Sequence, residues 1–394
     1  MQSVEKTWFE RNEQEQTTAV DEGGDEAAIQ EKKVYVASYW KLMWWRFLRH
    51  RLAVVSAVIV LLLYLVAAFA EVVAPYDPEE TFAKYKLVPP TPIHFFDEAG
   101  NWQGPFVYQI KRDRDPETLR SIYTEDKSVI YPIQFWVEGS EYKLWGLWPM
   151  KTRLFGLDVE HSEQGIFLLG GDRLGRDLFS RLCYGARISL TIGLVSVIIS
   201  LVLGIFLGGI SGYYGGAVDN TVQRLIEFIR SVPEIPLVMG LAAALPADWP
   251  VVRLYFGVTV VLSFIGWTGL ARVVRGRFLS LREEDFVMAA RLSGASEQRI
   301  IFRHMLPSFL SHIIASLTLA IPAIILSETG LSFIGLGLRA PAISWGVLLQ
   351  EAQNVRSMAL APWVLTPGIA VVITVLAFNF LGDGIRDAAD PYAK

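Results

Sequence analysis

The amino-acid sequence predicts an all-α polytopic membrane protein with a small β-containing extracytoplasmic insert. Three observations carry that expectation. Of 394 residues, 52% are hydrophobic and only 19% charged, and mean hydropathy is +0.34. The apolar residues gather into stretches near the ~20 residues that a bilayer core requires. A polar, acidic region, 77–177, separates the first of these stretches from the others.

Residues 1–33 are polar and mostly acidic and read as a disordered cytoplasmic tail, lacking the basic segment and early apolar core of a cleavable signal. Region 34–76 reads as an interfacial helix and a first span. Trp40, Trp44 and Trp45 beside Lys41, Arg46, Arg49 and Arg51 suit the inner membrane surface, and Leu52–Val73 is uncharged except for Glu71. Region 77–177 is too long for a simple connection. It holds seventeen acids against twelve Lys and Arg, consistent with an external segment under no positive-inside pressure. Val129–Val137 reads as a strand, Glu138-Gly139-Ser140 as a turn and Tyr142–Leu147 as a returning strand. Phe135, Trp136, Trp145, Trp148 and Phe155 read as the core of this insert in preference to a sugar- or peptide-contacting platform.

Region 178–394 reads as a five-span core. Four spans are plain: Ile188–Leu207, Leu254–Leu270, Ile313–Leu336 and Leu365–Leu381. The remaining one, around Arg224–Leu245, is short. Glu227, Arg230 and Glu234 precede an apolar run of eleven residues, Ile235–Leu245, and Pro233 and Pro236 would break a helix there. It reads as a short cytoplasmic helix followed by a bent span. Six crossings in all place both termini in the cytoplasm. The loop 272–307 agrees: from Arg272 to Arg303 it carries seven arginines against four acids. The one cysteine, Cys183, excludes an intrachain disulfide and a cysteine-based metal cluster.

Within that loop, Phe286, Ala289, Ala290 and Ser293 fall at i, i+3, i+4 and i+7, one helical face with a single large apolar knob among small side chains. Gly294 is suited to the positive φ that ends a helix, and Ser296 to capping the next, with Glu297 at its positive end. Leu306 and Pro307 then lead into a hydrophobic span. This stretch, Glu284–Pro307, resembles the "EAA" coupling loop of bacterial ABC-importer permeases, with Ala289, Ala290, Gly294, Leu306 and Pro307 matching. Met288 stands in place of the motif Glu and His304 in place of its Ile. Gly170–Asp177, continuing through Ser180-Arg181 and Tyr184-Gly185-Ala186-Arg187, is similar to a stretch of the second permease subunit of dipeptide, oligopeptide and nickel importers, with Gly171 replacing Thr. Ala74–Pro78 and Leu381–Asp387 fit the same subgroup.

The resemblance implies the type I importer permease fold, with Phe286, Ala289, Ala290, Ser293, Gly294, Leu306 and Pro307 coupling to an ATPase. It implies a homologous permease partner, two ATPase subunits expected as a heterodimer, and an extracytoplasmic solute-binding protein, all in the bacterial inner membrane. Peptides are the implied cargo, with oligosaccharides or nickel complexes as alternatives. No nucleic-acid partner is expected. ATP and Mg would be bound by the ATPase subunits, because this chain has no Gly-Lys dipeptide and therefore no P-loop, and no cofactor of its own is expected. The five histidines show no metal-ligand spacing.

Arg173, Arg176, Arg181 and Arg187 are placed to meet lipid headgroups or to pair with Asp172 and Asp177. Glu328 is the one acid deep in the fifth span, a position usually turned to a bundle interior or water-filled cavity, so it is a candidate for the translocation pathway. Two readings from other classes are much weaker. Gly209-Ile210-Ser211-Gly212 with His312 would make an intramembrane serine protease, but both residues fall near the ends of their spans. An ion-coupled transporter would hang on Glu328 alone.

Overall fold

The computed structural model describes residues 39–117, 121–157, 164–246 and 248–389. The expected tail, 1–33, lies outside these residues. The described chain is a helical bundle with a four-stranded sheet at one end. We label its principal helices α1 (Tyr39–Arg49), α2 (Arg51–Ala68), α3 (Leu178–Tyr214), α4 (Gly216–Arg230), α5 (Glu234–Ala243), α6 (Val251–Leu281), α7 (Asp285–Leu292), α8 (Leu310–Ile334), α9 (Trp345–Leu349) and α10 (Thr366–Ala389).

Among the described residues, five helices are long and apolar enough to cross a membrane: α2, α3, α6, α8 and α10. The region around Arg224–Leu245 was expected as a short cytoplasmic helix followed by a bent span, and the structure has two helices there in series, α4 and α5. Asp219 of α4 pairs with Arg275, Ile226 and Ile229 pack with Trp267 and Ala271, and Leu245, just past α5, lies against Gly257. The partners descend along α6 from 275 to 257, so α4–α5 runs antiparallel to it over roughly 27 Å at 1.5 Å per residue. Only the α5 end of this length is apolar, since α4 carries Asp219, Arg224, Glu227 and Arg230, with Arg224 and Glu227 exposed. The break falls at Ser231–Pro233, where Pro233 is extended with φ −53° and ψ 136°. Pro236 does not break α5, because it lies in the first turn, where its missing N–H costs little.

Glycine on α3 sets the closest helix pair. A Cβ at Gly208 would stand 2.4 Å from the Ala271 carbonyl oxygen of α6, and one at Gly212 would stand 2.7 Å from that of Arg275. Close backbone approach of this kind is a common means of helix association in membranes.

α1 is amphipathic. Trp40 and Trp44 are about half exposed, while Phe47 is buried with Ala53 and Ala388. His50 then caps α2, its Nδ1 accepting from Ala53 N at 3.1 Å.

The insert is an antiparallel meander, β1 (His94–Phe96), β2 (Trp102–Arg114), β3 (Ser121–Leu144) and β4 (Trp148–Leu157), in that spatial order. The expected turn at Glu138-Gly139-Ser140 is instead an irregularity inside the long strand β3. The hairpin turns at Trp145-Gly146-Leu147, where Trp145 and Gly146 have φ of 52° and 74°. The reason is Arg153, whose Cγ lies 2.9 Å from where a Gly139 side chain would begin, and whose Nη2 donates to Ser140 Oγ at 3.1 Å. The aromatic core expectation is also corrected. Phe135, Trp136, Trp145 and Trp148 are exposed, and of the five only Phe155 packs against the core, which is built from Tyr76, Phe82, Tyr85, Val107 and Phe167 among others.

The sheet grips the end of the first span through that span's last carbonyls. Arg153, 1% exposed, donates from Nη1 to Glu71 O at 2.7 Å and Ala74 O at 3.1 Å. Trp145 Nε1 donates to Ala68 O at 2.6 Å, and Arg187 Nε to Ala67 O at 2.9 Å. These are carbonyls that a helix terminus leaves without intrahelical partners.

Candidate functional site

The loop between α6 and α8 forms around a small core in which Val287 of α7 packs with Phe278, Ile300 and Met305. With Val287 turned inward, α7 presents Phe286 (43% exposed), Met288 (43%) and Leu292 (87%) outward. Of the sequence-derived face, Phe286, Ala289 and Ser293 are exposed and Ala290 is half-buried against the core. Gly294 has φ +77°, with nothing within 4 Å of where a Cβ would sit. The backbone angle alone therefore demands glycine there. Ser296 caps the next turn, accepting from Arg299 N at 3.4 Å. A π-helical stretch, Ile300–Met305, and the short turn Leu306–Ser308 lead into α8, with Leu306 half-buried and Pro307 exposed.

Two polar links tie this loop's surroundings to the bundle. Tyr214, at the end of α3, donates its hydroxyl to Glu297 at 2.7 Å. Arg275 of α6 meets Asp219 of α4 through two bonds of 2.5 Å, and Ser211 donates to the same carboxylate while accepting from Gln223. Ser211 is thus held by Asp219 and Gln223; the side chain of His312 lies outside the described residues. The pattern of the sequence did not expose the Asp219–Arg275 joint, because fifty-six positions separate its partners. Met288 and Leu292 escaped the i, i+3, i+4, i+7 stripe because the outward surface of this short helix is wider than one stripe.

A cavity of about 390 Å³ opens in the bundle between α3, α5, α6 and α8, lined by Ser200, Glu234, Gly266, Gly269, Ser316 and Ser327 with apolar neighbours. Its lining runs along α6 from Leu262 to Val273 and along α8 from Ser316 to Ser327. Glu328, one position past Ser327, is elsewhere. It is fully enclosed, accepting from Ser332 Oγ at 2.8 Å and Ser189 Oγ at 3.3 Å. Those hydroxyls in turn accept from Leu338 N at 3.0 Å and Trp345 N at 3.1 Å. Glu328 therefore fastens α8 to α3 and to the start of α9, and is not among the residues lining the cavity.

Of the four arginines before and within α3, Arg176, Arg181 and Arg187 pair with acids and Arg173 is exposed. Arg181 and Arg176 reach Asp172 at 2.5 and 2.6 Å, and Arg187 reaches Glu71 at 2.5 Å. Asp177 instead caps α3, accepting from Ser180 N at 2.7 Å.

Comparison with known proteins agrees with this architecture. The family described as "Binding-protein-dependent transport system inner membrane component" matches residues 200–394, and "N-terminal TM domain of oligopeptide transport permease C" matches residues 38–90. The chain is 38% identical over 224 residues to the dipeptide transport system permease protein DppC of Bacillus subtilis, covering 56% of this chain and 68% of that protein. It is 35% identical over 241 residues to the oligopeptide transport system permease protein OppC of the same organism, covering 61% and 76%. It is 31% identical over 360 residues to the glutathione transport system permease protein GsiD of Pectobacterium atrosepticum, covering 91% and 93%. With an exposed apolar helix on an arginine-rich loop, a cavity within the helix bundle and these relatives, the chain belongs to the inner-membrane permease family of binding-protein-dependent ABC transport systems.

Proposed function

We propose that this chain forms half of the translocation pathway of an ATP-driven peptide importer. The termini and the α7 loop face the cytoplasm and the sheet faces outward. A second, homologous permease completes the pathway, two ATPase subunits forming a heterodimer dock inside, and a solute-binding protein delivers cargo outside. ATP and Mg are bound by the ATPases. Peptide is the cargo that two relatives name. The observation that carries this reading is the α7 surface: Phe286, Met288 and Leu292 exposed on a helix held rigidly by Val287.

The coupling route follows from the packing. ATPase closure displaces α7, and the shared core passes that displacement to α6, while the Tyr214–Glu297 bond links the loop to α3. Both α3 and α6 line the cavity, so rigid-body movement at the loop reshapes its walls and switches access. Glu328 biases the access states by fixing α8 against α3 and α9 on the outward side.

The test has two arms. In proteoliposomes holding both permeases, both ATPases and the binding protein, ATP should drive uptake of a labelled peptide, and omission of this chain should abolish it. In intact cells with any outer membrane permeabilised, a cysteine at Ser140 should react with an impermeant thiol reagent, and one at Ser296 only after the inner membrane is opened. Reversed labelling, or uptake that survives omission, overturns the reading.

A further inference from the structure

We propose that Glu234 is the charge-selective residue of the pathway, contacting the cationic group of the cargo, such as a peptide's ammonium, as it passes through the cavity. The proposal rests on reading the cavity as the pathway. Among the sixteen residues lining the cavity, Glu234 is the one charged side chain; the others are apolar residues, glycines and serines. It stands at the first position of α5, immediately after the break at Ser231–Pro233 that separates α5 from α4. No hydrogen bond or ion pair holds its carboxylate among the described residues. The basic residue four positions back, Arg230, donates instead to Thr268 at 3.1 Å and lies against Gly269.

Glu234 is exposed, so its carboxylate is open to a charged group passing through the cavity. The broken helix supplies the means. The extended Pro233 carries the chain across the break, so Glu234 starts a new helix at the wall of the cavity. The first turn of a helix, with its free N–H groups, is a favourable place for a negative charge. The site is therefore a fixed negative charge in an otherwise uncharged chamber, suited to a passing ammonium or guanidinium and unfavourable to a net anion.

The experiment uses the complete reconstituted complex and two tripeptides, Lys-Ala-Ala and Glu-Ala-Ala, each at a concentration that saturates the binding protein. Wild type should take up Lys-Ala-Ala faster. Glu234→Gln should lower its uptake about tenfold, Glu234→Asp should retain most of it, and Glu234→Lys should invert the preference between the two peptides. Equal losses in Glu234→Asp and Glu234→Gln, or an unchanged ratio in Glu234→Lys, would show a merely structural residue and overturn the proposal. Failure of the pathway reading is separated by a cysteine at Ala320, which lines the same cavity. A bulky maleimide there should block uptake of both peptides. If it does not, the pathway assignment falls and this proposal with it; if it blocks while the charge series is flat, only the charge proposal falls.

Discussion

Gly294 offers the sharpest separation between coupling and folding. Its φ is +77°, and no atom lies within 4 Å of the point where a Cβ would project. A larger residue therefore meets no steric obstacle, and the whole cost lies in the backbone. For an L-residue the left-handed conformation costs roughly 1–2 kcal/mol, and a β-branched residue is a clearer outlier still, toward ~3 kcal/mol. Since 1.4 kcal/mol is a factor of ten, Gly294→Ala should reduce the population holding the native turn roughly 5–30-fold, and Gly294→Val more. Asn is enriched in this region, so Gly294→Asn should cost least. Gly294 is exposed, so the melting temperature of the bundle should stay within a degree or two in all three variants. The assay is co-purification of the ATPase subunits with tagged permease, followed by ATP-driven uptake. The expected order is wild type, Asn, Ala, Val. Equal losses across the series, or wild-type coupling in Gly294→Val, would refute the claim that this turn positions α7.

Two further expectations concern polar fastenings. Glu328→Ala leaves the Ser189 and Ser332 hydroxyls without their carboxylate acceptor. An unsatisfied buried donor costs about 1–3 kcal/mol, so the detergent-solubilised variant should melt several degrees lower and show altered basal ATP hydrolysis. Glu328→Gln should fall between; no change in either quantity removes the fastening role. Arg153→Leu deletes the donors to Glu71, Ala74 and Ser140, a loss on the order of 3 kcal/mol given the strength of charged hydrogen bonds. The insert should then become susceptible to limited proteolysis while the helices stay protected, and an unchanged digestion pattern would count against the clamp.

The legible parts of this chain were those governed by short-range rules. Apolar run length exposed α2, α3, α6, α8 and α10, and the left-handed turn at Gly294 and the Ser296 cap follow from single residues whose chemistry is local. The region Arg224–Leu245 was only half legible, because Pro233 announces a break but not that α4 lies along α6, which depends on Asp219 finding Arg275. Strand limits in the insert were obscured for a similar reason. Glu138-Gly139-Ser140 has the composition of a turn, yet Gly139 serves to admit Arg153 from the neighbouring strand. Exposure of Trp136 and Trp148 was equally hidden, since aromatic residues suit both cores and outer surfaces. Glu328 shows the limit of reading a charge in an apolar span: hydropathy locates it, but only the positions of Ser189 and Ser332 show that its partners are hydroxyls of the same chain.

The carbonyls at the end of α2 have a consequence for biogenesis. Their donors, Trp145, Arg153 and Arg187, lie 77 to 120 positions further along the chain. At about 5–20 residues per second, Arg187 is synthesised roughly 6–24 s after Ala67. During that interval the helix end must find water or lipid headgroups, which holds it at a membrane interface while the insert is still being made. The first span is therefore inserted as a provisional anchor, and its depth is set for good only when the sheet has folded and the second span has arrived to close over it.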